Sequence, residues 1–152
     1  MSVVPRTERL ASKAQHGSPH HQILHAIQGL PFWASSPLPS SDSIIEGALF
    51  TRGGQVYLVH LSHDASKRCF RLITRVQDGS NARSIPTEML RVQEETTWAR
   101  VLPRLGDNHV AVATTIPWCP HCGVDEATTK DIFRDFRIAV EAVDRSLRQA
   151  SR

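Results

Sequence analysis

Residues 44–76 have the sequence IIEGALFTRGGQVYLVHLSHDASKRCFRLITRV, in which three apolar segments are separated by two turn-forming segments. The first turn, 52–54, contains two glycines, which adopt positive φ at little cost. The second turn, 63–67, contains an aspartate and a serine, and both residue types favour turns. The pattern predicts an antiparallel meander of three strands, over 44–51, 55–62 and 68–76.

The last of these strands indicates which face of the sheet is buried. Its side chains alternate with a period of two, so that apolar residues and arginines lie on opposite faces: Phe70, Leu72 and Val76 against Arg71 and Arg75. We therefore expect one face of the sheet in water and the other covered by helices.

Further elements are predicted on either side of the meander. Ser18 followed by Pro19 is a typical helix start, Gly29 is a stop, and the Pro- and Ser-rich segment 31–42 is predicted to be a loop. After the meander we predict three elements: a helix over 86–99, an edge strand over 101–105 and a strand over 109–116.

The closing helix has the clearest pattern in the sequence. Asp125 is a favourable N-cap residue for it. Its apolar residues recur every three or four positions, at Ile132, Phe136, Val140, Val143 and Leu147. A helix with such an apolar stripe must cover a sheet or a partner.

These elements predict an α+β fold with the order α-β-β-β-α-β-β-α, in which helices pack on one face of an antiparallel five-stranded sheet. We predict one domain over 18–152, preceded by a disordered basic tail over 1–17. Most of the net charge of +3 lies in that tail, because Arg6, Arg9 and Lys13 outnumber Glu8 by two. A folded domain close to neutrality argues against nucleic-acid binding.

The second half of the chain resembles a known family. A helix bearing Trp98 leads into a short strand with Pro103, then an apolar strand over 109–116, then Gly123-Val124-Asp125-Glu126 and the long closing helix. With the element order, this pattern resembles the YbjN-type branch of the type III secretion chaperone-like family over about residues 18–148. The Cys-Pro-His-Cys segment that precedes the last helix is not part of that family pattern.

The resemblance implies a binding domain without a shared active site, and hence a non-enzymatic protein. It implies a homodimer that binds a protein or peptide partner, as a chaperone, adaptor or regulator. Strand residues are candidates for the partner surface, and the alternative is that they are ordinary core: Leu49, Tyr57, Val59, Leu61 and Ile73. The sequence contains no G-x-G-x-x-G, P-loop, H-E-x-x-H or G-x-S-x-G motif.

The cysteine count and the hydropathy pattern bear on the compartment. Three cysteines are too few, and odd in number, for a disulfide-stapled secreted scaffold, so we expect a reducing, cytoplasmic location. No apolar run approaches the length of a membrane-spanning helix, and no signal-peptide core is present, so we expect no membrane association.

The sequence Cys119-Pro120-His121-Cys122-Gly123 is typical of a zinc knuckle, in which Pro and Gly shape a turn that points both sulfurs at one ion. Cys119 and Cys122 are therefore candidate zinc ligands. A closed site needs two more, and the candidates are Cys69, His60, His63 and His109. The pair His21 and His25 has a chelating spacing but no third ligand nearby in the sequence, which favours a solvated pair.

Two alternatives remain for Cys119 and Cys122. A C-x-x-C motif between a strand and a helix also suits a thiol oxidoreductase. The thioredoxin fold, however, needs further strands after its motif, and here only one helix follows. The other alternative is a free pair of thiols in a loop.

Overall fold

The computed structural model describes residues 18–35, 44–77, 94, 96–103 and 109–150. Two helices and six strands are present in these ranges: α1 Pro19–Ile27, β1 Trp33–Ser35, β2 Ile44–Phe50, β3 Val56–Asp64, β4 Cys69–Gln77, β5 Arg100–Pro103, β6 His109–Pro117 and α2 Glu126–Ala150. The predicted tail and most of the predicted helix over 86–99 lie outside the described residues.

The strands form one antiparallel sheet in the order β1-β2-β3-β4-β6-β5. The predicted meander is confirmed as β2, β3 and β4. The predicted count of five strands is wrong, because the described part of the chain forms a sixth, β1, inside the segment 31–42 that we predicted to be a loop. β1 pairs with β2 and places Trp33 opposite Leu49.

Packing of Trp33 explains why this Pro- and Ser-rich segment joins the sheet. The indole is buried and packs edge-on against Phe133, with ring centroids 5.1 Å apart, and its Nε1 donates a hydrogen bond to Ser35. It lies directly over Gly47, where a Cβ would overlap the ring. Burial of the indole and the space at Gly47 thus hold Trp33–Ser35 at the edge of the sheet.

Both helices cover the same face of the sheet. α2 contacts β4, β6 and α1, and its apolar stripe is buried as predicted at Ile132, Phe136, Val140 and Val143. The sheet supplies the other half of the core, with Leu49, Val59, Leu61, Phe70, Leu72, Val112 and Ile116. Within the described residues, no helix is long and apolar enough to cross a bilayer.

The predicted helix starts are confirmed by their caps. The Ser18 hydroxyl accepts a hydrogen bond from the backbone N–H of His21, and Pro19 occupies the first turn of α1. At the start of α2, the Asp125 carboxylate accepts from the N–H of Thr128 at 3.0 Å. A hydrogen bond from the Thr128 hydroxyl, and then this one from the backbone, lower the pKa of Asp125.

The end of the predicted helix over 86–99 is wrong, because Thr97, Trp98 and Ala99 are not helical. Their three backbone N–H groups donate instead to the carboxylate of Asp135 on α2, at 3.0, 2.9 and 2.8 Å. A single helical carboxylate therefore shapes the turn that leads into β5. β5 lies at the edge of the sheet, as predicted for the strand with Pro103.

Candidate functional site

The face of the sheet opposite the helices, which we call the open face, carries an unusual number of apolar side chains. On β2 and β3 the paired residues Ala48 and Leu58, and Phe50 and Val56, lie on this face. Leu58 is 58% exposed and Val56 is 57% exposed. Large apolar side chains with this much exposure mark an interaction surface when they are contiguous.

The open face continues on the other side of the sheet. There a concavity is lined by Ile73 of β4, Ala113 of β6 and Leu102 of β5, together with Trp98. Leu102 is 45% exposed and Trp98 is 42% exposed. Apolar side chains thus occupy both flanks of the open face.

The charge on the open face is positive. Arg71 and Arg75 of β4 and Arg100 of β5 are exposed, and none of the three forms an ion pair with another described residue. Across the same face Glu46 lies 3.9 Å from the Nδ1 of His60. Three arginines against one glutamate make this a surface that attracts negative charge.

The residues predicted from sequence to bind a partner lie mostly on the other face. Leu49, Val59 and Leu61 are buried between the sheet and the helices, so their assignment to a partner surface does not fit the structure and they act as core. The reason is the register: on β2 and β3 these odd-numbered residues face the helices. Only Ile73 lies on the open face.

Tyr57 also faces the helices and is half-buried. Its hydroxyl donates a 2.5 Å hydrogen bond to Asp144 of α2. Burial, and then this hydrogen bond, raise the pKa of the Tyr57 phenol. We conclude that Tyr57 joins β3 to α2 rather than facing a partner.

Sequence reasoning missed the exposed residues Val56 and Leu58. Both belong to the segment 56–61 of β3, in which every residue except His60 is apolar, and this hides the period of two. The alternation on β4, where Arg71 and Arg75 mark the wet face, was the available signal. Carrying that register across to β3 puts Leu58 on the same face as the arginines, next in line to the pair of Val59 and Thr74.

The Cys-Pro-His-Cys loop is a tight turn between β6 and α2. The backbones of Cys119 and Gly123 exchange two hydrogen bonds, at 3.0 and 2.6 Å. Gly123 closes the turn at a φ of +73°, and a side chain there would meet Gln22 of α1. The Gln22 amide oxygen accepts from the N–H of Val124 at 2.6 Å, which fixes the loop to α1.

The two sulfurs have different surroundings. The Cys119 sulfur accepts hydrogen bonds from the backbone N–H groups of His121 and Cys122, and also from the Cys122 thiol. These bonds, in that order, lower the pKa of Cys119, and Arg68 adds a smaller effect. The Cys122 thiol is the donor of the hydrogen bond to Cys119. This bond stabilises the protonated form of Cys122 and so raises its pKa. Cys119 is half-buried, while Cys122 is exposed.

The structure does not complete a zinc site around this pair. Among the described residues no group of three or more His, Cys, Asp or Glu side chains could hold a metal ion. His63 accepts a hydrogen bond from the Trp118 indole at 3.1 Å and stacks on Phe70, while His60 lies on the open face beside Glu46. Of the predicted ligands, the described part of the chain brings together only Cys119 and Cys122.

The arrangement of the described elements is that of an α+β domain of the YbjN-like fold, with helices on one face of an antiparallel sheet. One solved structure with this fold is YbjN from E. coli, described as a candidate transcription regulator. It covers 84% of this chain and 90% of its own, with a TM-score of 0.58 and 8% sequence identity. No protein-family model and no curated protein matches the sequence. The likeness confirms the predicted resemblance at the level of the fold.

Proposed function

We propose that this chain is a non-enzymatic protein-binding domain whose open face binds an acidic, apolar segment of a protein partner. The observation that carries the proposal is the open face itself, where Leu58 and Val56 are more than half exposed on the same face as Arg71 and Arg75. Burial of such side chains is the main source of affinity in protein interfaces, and charge complementarity selects the partner. A chaperone, an adaptor or a regulator would use such a surface.

The chemistry of the open face favours a protein over a nucleic acid. Proteins that bind single-stranded nucleic acid stack bases on aromatic rings along a positive groove. The exposed apolar side chains of the open face are the aliphatic residues Val56, Leu58 and Leu102 and two rings at opposite flanks, Phe50 and Trp98. The aliphatic side chains bury apolar protein surface, and two rings with three strands between them do not form a row on which successive bases stack.

The edges of the sheet favour binding on the face over addition of a strand. β1 has three residues, and β5 contains Pro103, which has no N–H to donate. A partner strand would therefore find few backbone groups at either edge. The open face offers side chains from five strands.

Charge also bears on self-association through this surface. Two copies that met with their open faces would bring Arg71, Arg75 and Arg100 of each copy towards those of the other, which is unfavourable. An acidic partner is therefore the better occupant. The homodimer implied by the family resemblance stays a prediction, and light scattering measures it.

The compartment is part of the same proposal. The three cysteines are free, which suits a reducing compartment. We propose the cytoplasm as the location, and a segment of a cytoplasmic protein as the ligand.

The experiment that tests the proposal is a selection of displayed random peptides on the purified chain. We expect enriched peptides to combine Asp or Glu with Leu, Ile, Val or Phe. Leu58→Asp places a negative charge among the exposed apolar side chains of β2 and β3 and should abolish the enrichment. Its stability should change little, because Leu58 is 58% exposed.

The matched control is Ile138→Asp on α2. Ile138 is 49% exposed and also lies among arginines, but away from the open face. It should leave the enrichment unchanged. The proposal would be contradicted if no peptides were enriched, or if the enriched peptides were basic. It would also be contradicted if Ile138→Asp abolished the enrichment and Leu58→Asp did not, or if the chain bound a single-stranded oligonucleotide in preference to peptides.

A further inference from the structure

The Cys-Pro-His-Cys loop has a built geometry that the proposed binding function does not use. The paired backbones of Cys119 and Gly123 close the turn, and the N–H of Trp118 donates to the carbonyl of Arg68 at 3.0 Å. Gln22 holds the other end through Val124. Both cysteines therefore belong to one rigid turn that is attached to α1 and to the turn before β4.

Within that turn the two cysteines are separated by Pro120 and His121, and the backbone pair of Cys119 and Gly123 encloses both of them. Each thiol shifts the pKa of the other, lowering that of Cys119 and raising that of Cys122 through their hydrogen bond, which agrees with two neighbouring sulfurs in one turn. Cys122 is exposed, and Cys119 is half-buried. A reagent in solution can therefore reach the pair.

The hydrogen bonds also distinguish the roles of the two sulfurs. Two backbone N–H groups and one thiol point at Cys119. Hydrogen bonds to a sulfur stabilise its thiolate, which is the form that attacks a disulfide. Cys119 is thus the attacking sulfur, and Cys122, which holds its proton, is the resolving one.

A structural metal site is the competing use of two such cysteines. Zinc in a closed site takes four protein ligands, and the described residues bring only two sulfurs together in this loop. Cys69, the third cysteine, belongs to β4 and is not grouped with them. Two cysteines suffice for disulfide chemistry, whereas the described residues supply only two of the four ligands that a closed zinc site needs.

We propose that Cys119 and Cys122 form a reversible dithiol–disulfide couple that exchanges with small-molecule disulfides such as glutathione disulfide. The Cys119 thiolate attacks one sulfur of glutathione disulfide, and the S–S bond breaks to release one glutathione. Cys122 then loses its proton to solvent and attacks the Cys119 sulfur, which releases the second glutathione. Two protein thiols are oxidised, and one glutathione disulfide is reduced to two glutathione molecules.

The test is equilibration of the full chain in mixtures of reduced and oxidised glutathione, followed by alkylation and mass spectrometry of the peptides. We expect Cys119 and Cys122 to escape alkylation together, because they form an internal disulfide, while Cys69 is still alkylated. Cys122→Ser should stop at a stable glutathione adduct on Cys119. Cys119→Ser should form an adduct on Cys122 more slowly.

The matched control is Cys69→Ser, which removes a cysteine outside the loop and should leave the couple unchanged. Equal rates of modification at all three cysteines, with no internal disulfide, would overturn the proposal. A second result would also overturn it: the reduced protein binds zinc through Cys119 and Cys122 in competition with a chelator, and the bound zinc protects both thiols from oxidation. Circular dichroism of each serine variant tests whether the fold is retained.

Discussion

Replacing Gly47 with alanine should lower the free energy of unfolding by about 1–3 kcal/mol, the cost of overpacking a filled core. A Cβ at Gly47 would overlap three atoms of the Trp33 ring, the farthest of them only 2.8 Å away. The ring cannot move aside easily, because it packs against Phe133 and its Nε1 is bound to Ser35. Urea denaturation followed by tryptophan fluorescence measures the change.

Gly29→Ala is the matched control for Gly47→Ala. No atom lies within 4 Å of a Cβ at Gly29. Its substitution should therefore be neutral or raise stability by up to about 1 kcal/mol, since alanine restricts the unfolded chain. Equal stability changes in the two variants would show that Trp33 does not occupy the space over Gly47.

Asp135→Ala should cost about 1–3 kcal/mol, because it removes the acceptor for the backbone N–H groups of Thr97, Trp98 and Ala99. Ala99 is fully buried, so water cannot readily replace the lost acceptor. Hydrogen exchange should show loss of protection at Thr97, Trp98 and Ala99 in addition to the lower stability seen in urea.

The control is Asp131→Ala, one turn earlier on α2. Asp131 forms an exposed ion pair with Arg134, and such pairs contribute little. Its replacement should change stability by less than about 1 kcal/mol. If Asp131→Ala and Asp135→Ala cost the same, Asp135 does not hold the turn before β5.

Local signals in the sequence predicted most of the described elements. Ser18-Pro19 and Asp125 mark helix starts through the chemistry of the N-cap, which needs no tertiary context. The alternation on β4 and β6, and the stripe on α2, likewise report burial directly. These features depend only on neighbours along the chain.

The features that sequence reasoning missed depend on contacts far apart in the chain. β1 exists because Trp33 fits over Gly47 and against Phe133, a fit that no local pattern shows. The segment 97–99 is shaped by Asp135, more than thirty residues later. Both are cases in which tertiary contacts override local propensity.

The candidate site was predicted in part. The cysteine pair is visible in the sequence, but its asymmetry arises from N–H groups that only the folded turn aims at Cys119. For the partner surface, an apolar β3 segment gave no indication of which residues face outward. Leu49, Val59 and Leu61 were chosen for their apolar character, which suits a core equally well.

The central claim is that the open face binds an acidic, apolar segment. Calorimetric titration of a selected acidic peptide, with the wild-type chain and with the double variant Arg71→Glu/Arg75→Glu, tests it most directly. Both arginines are exposed, so the variant should fold normally. We predict that Kd rises about ten-fold or more, and that a peptide with Lys in place of its acidic residues recovers binding to the variant. An unchanged Kd in the double variant would contradict the claim.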